Sequence, residues 1–321
     1  MAGELWRGTV QLVKEVTYGT YLASTKAMYY TDPKFTYVRP PRVHKFATGT
    51  RDNSRSFSQG PIEVAGTLTQ PLSADEIIEL LLMGICGGVT PTSSVWTFKP
   101  TLASGLDSAA MEWQDGANPW HVSGCYVDSI EIKGNANGPN DVTATIFGKS
   151  LVAGEITAAL TQRTPTIIEG WETAVTADAI GATAGTTAIP GVLINWTIKV
   201  TNGLARKYFA SNSNTLGAIA FGELGVSCQF TFEASVASAL TEFTNFNGPT
   251  LRLIQLTFGN NSGSPLRYVK VNLPLAWTAV ALDQVDNLTR TYQFSGEMIF
   301  DATNLYGVEF LVQNSRTTAW V

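Results

Sequence analysis

Charge is scarce in this sequence. Asp, Glu, Lys and Arg make up 15% of its 321 residues, against roughly 25% in an ordinary soluble domain, which suits a protein whose faces are covered by neighbours. Basic residues are the scarcer kind: 21 Lys and Arg stand against 26 Asp and Glu, for a formal net charge of −5. Proteins that sequester nucleic acid cluster Lys and Arg against phosphates and release counterions. The nearest approaches to a cluster, Arg39 to Lys45 and Arg51 to Arg55, are short and sit beside Pro, Gly and Ser, so they read as solvated or interface loops.

Histidine and cysteine are nearly absent. Nucleophilic catalysis needs a base beside a Ser, Cys or Thr, and the only histidines are His44, in an expected loop after Pro41-Arg42, and His121, at a strand start. No G-x-S-x-G elbow accompanies either. The three cysteines, Cys86, Cys125 and Cys228, form no C-x-x-C pair and are odd in number, which indicates neither a zinc site nor a disulfide framework; they read as buried thiols. No metal or cofactor is expected. Gly84-Ile85-Cys86-Gly87-Gly88 lacks the Lys-Ser/Thr of a phosphate loop and follows a helix instead of preceding one.

Long apolar runs are missing too. The longest, Ile77 to Ile85, is broken by Glu79 and falls far short of the ~20 residues of a membrane-spanning helix. Glu4, Arg7 and Lys14 interrupt the N-terminal segment, unlike the apolar core of a signal peptide. The expectation is a chain that stays in the cytoplasm where it is made, with no membrane partner. The matches to the glycosylation sequon at Asn195 and Asn287 then have no consequence.

What the sequence does contain is alternation. Apolar and polar residues alternate over Ile62 to Val64, Val122 to Lys133, Val142 to Gly148, Val192 to Val200, Leu251 to Phe258, Tyr268 to Leu273 and Leu288 to Phe300, each bounded by turn residues, the pattern of half-buried strands. One helix is signalled after Ser73, with Glu76 as a capping-box partner and Ile77, Leu80, Leu81 and Gly84 on a 3.6-residue period. The class is mainly β.

A strand-then-helix unit occurs twice. Gly60-Pro61-Ile62-Glu63-Val64 leads through Leu68 and Ser73 into the first helix, and Gly222-Glu223-Leu224-Gly225-Val226 leads through Phe230 and Ser235 into Val236 to Phe243, 162 residues later. Two runs of strand follow each copy. A duplication into 1–160 and 161–321 is expected, with the boundary within Ala153 to Gly170 and a loop over Ala174 to Pro190.

Two enzyme-like or binding features remain. Glu112 and Asp115 form a carboxylate pair of the kind glycosidases use, but the surrounding Met111 to Gly116 reads as a strand ending in an Asp-Gly turn. Trp6, Trp113, Trp120 and Trp277 could build a sugar platform, so an all-β glycan-binding or surface-fibre module stands as the rival reading, although such aromatics more often fill cores and interfaces.

The sequence resembles the tail tube proteins of long-tailed bacteriophages, in particular the longer, siphovirus-type members. The stretches that carry the resemblance are Glu15 to Thr20, Ala47 to Asn53, Gly60 to Gly66, Trp113 to Gly116, Gly124 to Val127, Glu169 to Thr173 and Asn202 to Phe209. It implies two tandem β-sandwich domains, each with a flanking α-helix, that join on assembly into a continuous β-barrel tube. It further implies a non-enzymatic virion protein that forms stacked rings of three chains with pseudo-sixfold symmetry. Its expected partners are itself, a tape measure protein, a tail terminator and distal tail proteins, and viral DNA passes through without specific binding.

Two sets of residues follow as expectations. DNA must slide through the tube without being held, so the lumen is expected to be acidic or uncharged, with Glu63, Thr67, Thr69, Glu223, Gln229, Thr231 and Glu233 as candidates and Asp128 and Glu131 as weaker ones. Thr17 to Lys45 reads as a long loop without clear strand pattern. Its Tyr18, Tyr21, Met28, Tyr29, Tyr30 and Phe35 would be costly to leave in water, so it is expected to stack one ring on the next.

Overall fold

The computed structural model of the chain describes residues 8–30, 33–46, 54–100, 105–189, 193–210, 213–260, 266–286 and 289–320. Trp6, the stretch 47–53, Val192, Asn287 and Leu288 lie outside them. In chain order the elements are β1 (Thr9–Lys14), β2 (Lys26–Met28), β3 (Lys34–Val38), β4 (Pro41–Lys45), β5 (Ser54–Gln59), β6 (Glu63–Pro71), α1 (Ile78–Gly84), β7 (Val95–Phe98), β8 (Ala109–Gln114), β9 (Pro119–Asn135), β10 (Asn140–Gly148) and β11 (Ser150–Ala153). The later ones are β12 (Thr173–Ala179), β13 (Leu193–Thr201), β14 (Ala205–Lys207), β15 (Ala218–Ala220), β16 (Gly225–Glu233), α2 (Ala237–Asn247), β17 (Arg252–Asn260), β18 (Arg267–Asp286), β19 (Thr289–Met298) and β20 (Glu309–Gln313).

Eight strands form one antiparallel run in the order β3-β6-β10-β9-β13-β16-β19-β18. Strand β9, 17 residues long, and strand β18, 20 residues long, each leave this run partway. The N-terminal part of β9 joins a second layer, β2-β1-β8-β9-β11, and that of β18 joins another, β12-β17-β18-β20-β7. Two short hairpins, β4-β5 and β14-β15, stand apart from the layers.

Alternation places the core. In β6 the even residues Val64, Gly66, Leu68 and Gln70 are buried and the odd ones half-buried; in β13 Trp196, Ile198 and Val200 are buried while Asn195 and Lys199 are exposed. These side chains meet Leu12 and Met111 from one outer layer and Val271 and Phe310 from the other in a single apolar cluster. Asp115 ends β8 in the expected turn, accepting the amides of Ala117 and Asn118 at 2.8 and 2.7 Å, and Gly116 supplies a φ of +89° that other residues adopt at a cost.

Several sequence expectations are corrected. Helix α1 begins at Ile78, not after Ser73, because Ser73 caps a separate turn: its Oγ accepts the Asp75 amide at 3.2 Å and its carbonyl the Ile77 amide at 3.2 Å. Glu76 is turned inward, 2% exposed, and forms no capping box. Ala174 to Ala179 is strand β12 and not loop, its Ala and Thr alternating against β17. The following residues are pinned by Asp178, whose carboxylate accepts amides from Gly185, Thr186 and Thr187.

The first and second halves of the chain are sewn together at buried polar groups. Asn140 Oδ1 accepts Trp196 Nε1 at 3.0 Å, and its Nδ2 donates to the carbonyls of Ile168 and Glu169. Asn202 Nδ2 donates to the carbonyls of Gly84 and Val127 at 2.8 and 3.1 Å. Replacing Asn140 by alanine orphans the indole N–H and two carbonyls, and is expected to destabilise the fold by about 2–3 kcal/mol in urea unfolding. A change below about 0.5 kcal/mol would show that these bonds carry no weight.

Candidate assembly surfaces

The enzyme-like groups turn out to be structural acceptors. Glu112 is fully buried in β8 and takes hydrogen bonds from Tyr21 Oη, the Ser24 amide, and the Thr157 amide and hydroxyl, all within 2.9 Å. Burial by itself would raise its pKa, but the donors from Thr157, Tyr21 and Ser24 outweigh it and hold the carboxyl below its ordinary value, the opposite of what a general acid needs. His44 lies in β4, not in a loop, with Nε2 3.0 Å from Ser58 Oγ. His121 stacks on Tyr21 with ring centroids 4.0 Å apart. All three cysteines are buried and none is in a disulfide among the described residues, and burial pushes the Cys228 thiol up to about 12.

The three candidate tryptophans among the described residues build no sugar platform. Trp277 is 8% exposed in the core, Trp113 packs on Phe35, and Trp120 donates to Asp115 at 3.3 Å.

The eight-stranded run presents a polar face away from the core. Thr67 and Thr69 of β6, Glu131 of β9, and Gln229, Thr231 and Glu233 of β16 alternate with buried apolar neighbours and share this face. Thr231 is nonetheless only 7% exposed. Three lysines share the face as well: Lys34 is directly opposite Thr67, Lys133 opposite Asp141, and Lys199 opposite Glu131. Opposite-sign cross-strand pairing of the last two kinds is favourable, and the face is mixed in sign.

Three of the lumen candidates sit at the margins or irregularities of this face. Glu63 sits at the rim as the first residue of β6, bound to Arg206 of β14 at 3.2 Å. Glu223 is exposed but precedes β16, so it is off the sheet face. Asp128 is the extra residue of a bulge, since Val127 pairs with Ile146 and Ser129 with Thr145; the bulge is why alternation reads ambiguously there.

Thr17 to Lys45 is not one long loop, for β2, β3 and β4 lie within it. Most of its apolar residues are covered by the chain itself. Met28 is in the core at 2% exposure, Tyr30 and Phe35 pack against that core, and Tyr18 joins a satellite cluster with Tyr126, Phe147 and Leu216. Only Tyr21 and Tyr29 of the six stay exposed, at 37% and 41%.

Residues 6–296 match the family model described as phage tail tube protein. The chain belongs to this family. It is therefore a structural component of the phage tail, located in the virion, and not an enzyme. A search of curated proteins finds no match to it.

For a tail tube protein the telling surfaces are those that sequence patterns left unmarked. The outer edge of β3 and the far edge of β18 beyond Leu275 carry no strand pairing among the described residues. Tyr37 on the first edge and Leu282 on the second are 43% and 47% exposed. Leu240 on α2 is 57% exposed, whereas every residue of α1 is buried. Alternation marks a strand but not whether its edge is paired, so only topology could reveal these places.

Proposed function

We propose that this tail tube protein is a tandem duplication, 1–160 and 161–321, whose chains polymerise into stacked three-chain rings forming the DNA conduit of a long, siphovirus-type tail. The observation that carries the reading is the matching strand order of the two halves. The first half runs β3-β6-β10-β9 in one layer and β1-β8-β9-β11 in the other; the second runs β13-β16-β19-β18 and β12-β17-β18-β20. Each half also has a hairpin apart from the layers and one helix after its β6 or β16 strand.

The pairing registers match as well. Phe35 faces Gly66 as Ile198 faces Cys228, and Thr69 faces Thr143 as Thr231 faces Gln293. Two equivalent units with open edges favour a head-to-tail contact that closes when the rotation permits, so six unit positions are filled by three chains. Linking each pair covalently fixes half of the contacts and removes part of the association entropy cost.

In this arrangement the polar face of the eight-stranded run lines the lumen. The exposed Tyr21 and Tyr29 and the hairpin β4-β5, with Val43 and Phe57 56% and 68% exposed, stack one ring on the next. By resemblance, a tape measure protein occupies the lumen before ejection, with terminator and distal tail proteins at the ends. Symmetry averaging of tube images tests the stoichiometry: threefold symmetry with approximate sixfold density is expected, and six whole chains per ring would overturn it.

A further inference from the structure

The internal join between the halves is a template for the join between chains. Inside one chain, β9 meets β13 with Ile130 opposite Val200, Glu131 opposite Lys199 and Ile132 opposite Ile198. Ile130, Val200, Ile132 and Ile198 are all 2% exposed or less, so the join is sealed by apolar residues on the core side and by a charge pair on the polar side.

The counterparts of these strands are the two open edges. Matching β6 to β16 through their pairing registers makes Phe35, Thr36 and Tyr37 of β3 the equivalents of Ile198, Lys199 and Val200. The same matching, carried across β10 and β19, makes Val280 and Ala281 of β18 the equivalents of Ile130 and Glu131. Leu282 follows, within the bulge between Ala281 and Gln284, where Ile132 follows in β9.

Building on the duplicated-ring reading, we infer that β18 of one chain pairs with β3 of a second copy in this inherited register, Val280 opposite Tyr37 and Ala281 opposite Thr36. Exposure at the edges supports the choice of a second copy as the occupant. Tyr37 and Leu282, 43% and 47% exposed in the single chain, stand at positions whose internal equivalents are buried. Antiparallel pairing then continues the sheet across the seam and closes the two edges that would otherwise template aggregation.

A second observation converges on the same contact. Just past β13, Asn202 reaches across the internal join to the Gly84 carbonyl at the end of α1. The residue just past β3 is Arg39, exposed in the single chain. In the inherited arrangement it arrives at the C-terminal turn of α2, which has no basic residue of its own, and where a cation is favoured by the free carbonyls and the helix dipole. The same approach covers the α2 surface at Leu240, as α1 is covered within the chain.

The test is disulfide trapping in assembled protein. Directly opposed strand residues have Cα atoms about 4.5–5.5 Å apart, within the range of a disulfide, and the three native cysteines are buried. The double variant Thr36→Cys/Ala281→Cys, oxidised after assembly, is expected to give covalent dimers and trimers at least tenfold more abundantly than Thr36→Cys/Ala279→Cys, which is two residues out of register. Arg39→Glu in otherwise unaltered protein is expected to raise the concentration needed for assembly at least tenfold while the subunit's circular dichroism stays unchanged. Tubes that form but cross-link only from another pair overturn the register and leave polymerisation standing. Unaltered protein that forms no tubes under any condition overturns the polymerisation reading and this inference with it.

Discussion

Replacing Glu79 by glutamine is expected to destabilise the subunit by about 3–5 kcal/mol and lower its melting temperature by roughly 10 °C. Glu79 is fully buried in α1, and its carboxylate is the centre of a desolvated ionic cluster. Lys26 Nζ of β2 lies 2.8 Å away, Arg316 of the C-terminal segment binds it through both terminal nitrogens, and the Trp320 amide donates to it at 3.1 Å. Lys26 and Arg316 are themselves 3% and 4% exposed. The cluster ties two distant segments to one helix, and removing its central charge leaves two buried cations undercompensated, the costly way to break a buried pair. Thermal and urea unfolding measure the effect, and a loss below about 1 kcal/mol would refute it.

The same cluster gives the cost a pH dependence. Burial alone would raise the Glu79 pKa, but Lys26 and Arg316 outweigh it and lower the carboxyl from 4.5 to about 2. A group depressed in the folded state contributes stability in full above its unfolded value and loses it as pH falls through the folded one. The difference between wild type and Glu79→Gln is therefore expected to be full above about pH 5 and to shrink as pH falls from there toward 2. Neighbouring Glu76 behaves oppositely: burial raises its pKa, so its contribution is full at low pH and lost as pH rises. The Glu79 charge adds to that rise, so Glu79→Gln relieves part of it and the two titrations are coupled in the comparison.

Much of this fold was legible because burial on one side of a strand imposes a period of two. Strands β6, β10, β13, β17 and β19 fall where alternation puts them. What stayed hidden depends on partners remote in sequence. The strand β3 was missed because Phe35 is its only residue that touches the core and the others are exposed. Strand β12 was missed because small Ala and Thr side chains read as loop until Leu256 and Ile254 of β17 are set against them. Glu79 carried a signal that went unused, a carboxylate inside the longest apolar run, which cannot be buried without cations drawn from elsewhere. Which cations, the sequence alone does not tell, because Arg316 is 237 residues away.

The second large effect concerns the polar face as a lumen. Double-stranded DNA carries a charge every ~1.7 Å of axis, and each phosphate neutralised by a lysine releases condensed counterions. On this face Lys133 and Lys199 stand opposite acids in the strand register and Lys34 opposite Thr67, so the charge of the first two is partly answered within the sheet. Gln229 is exposed and lies between Thr197 and Ser295, and Thr143 lies between Thr69 and Glu131. Gln229→Lys with Thr143→Lys adds six cations per three-chain ring, by the proposed stoichiometry: the three at 229 have no acid directly opposite, and the three at 143 share Glu131 with Lys199; the contacts recur in every ring along the tube. Particles carrying the pair are expected to assemble normally yet eject DNA at least tenfold more slowly at low salt. The rate should recover as salt is raised, because phosphate contacts weaken steeply with ionic strength. Gln229→Glu with Thr143→Glu controls for bulk and for sheet damage, and should eject at the wild-type rate or faster. Equal, salt-independent rates for the lysine and glutamate pairs would mean that DNA does not pass along this face.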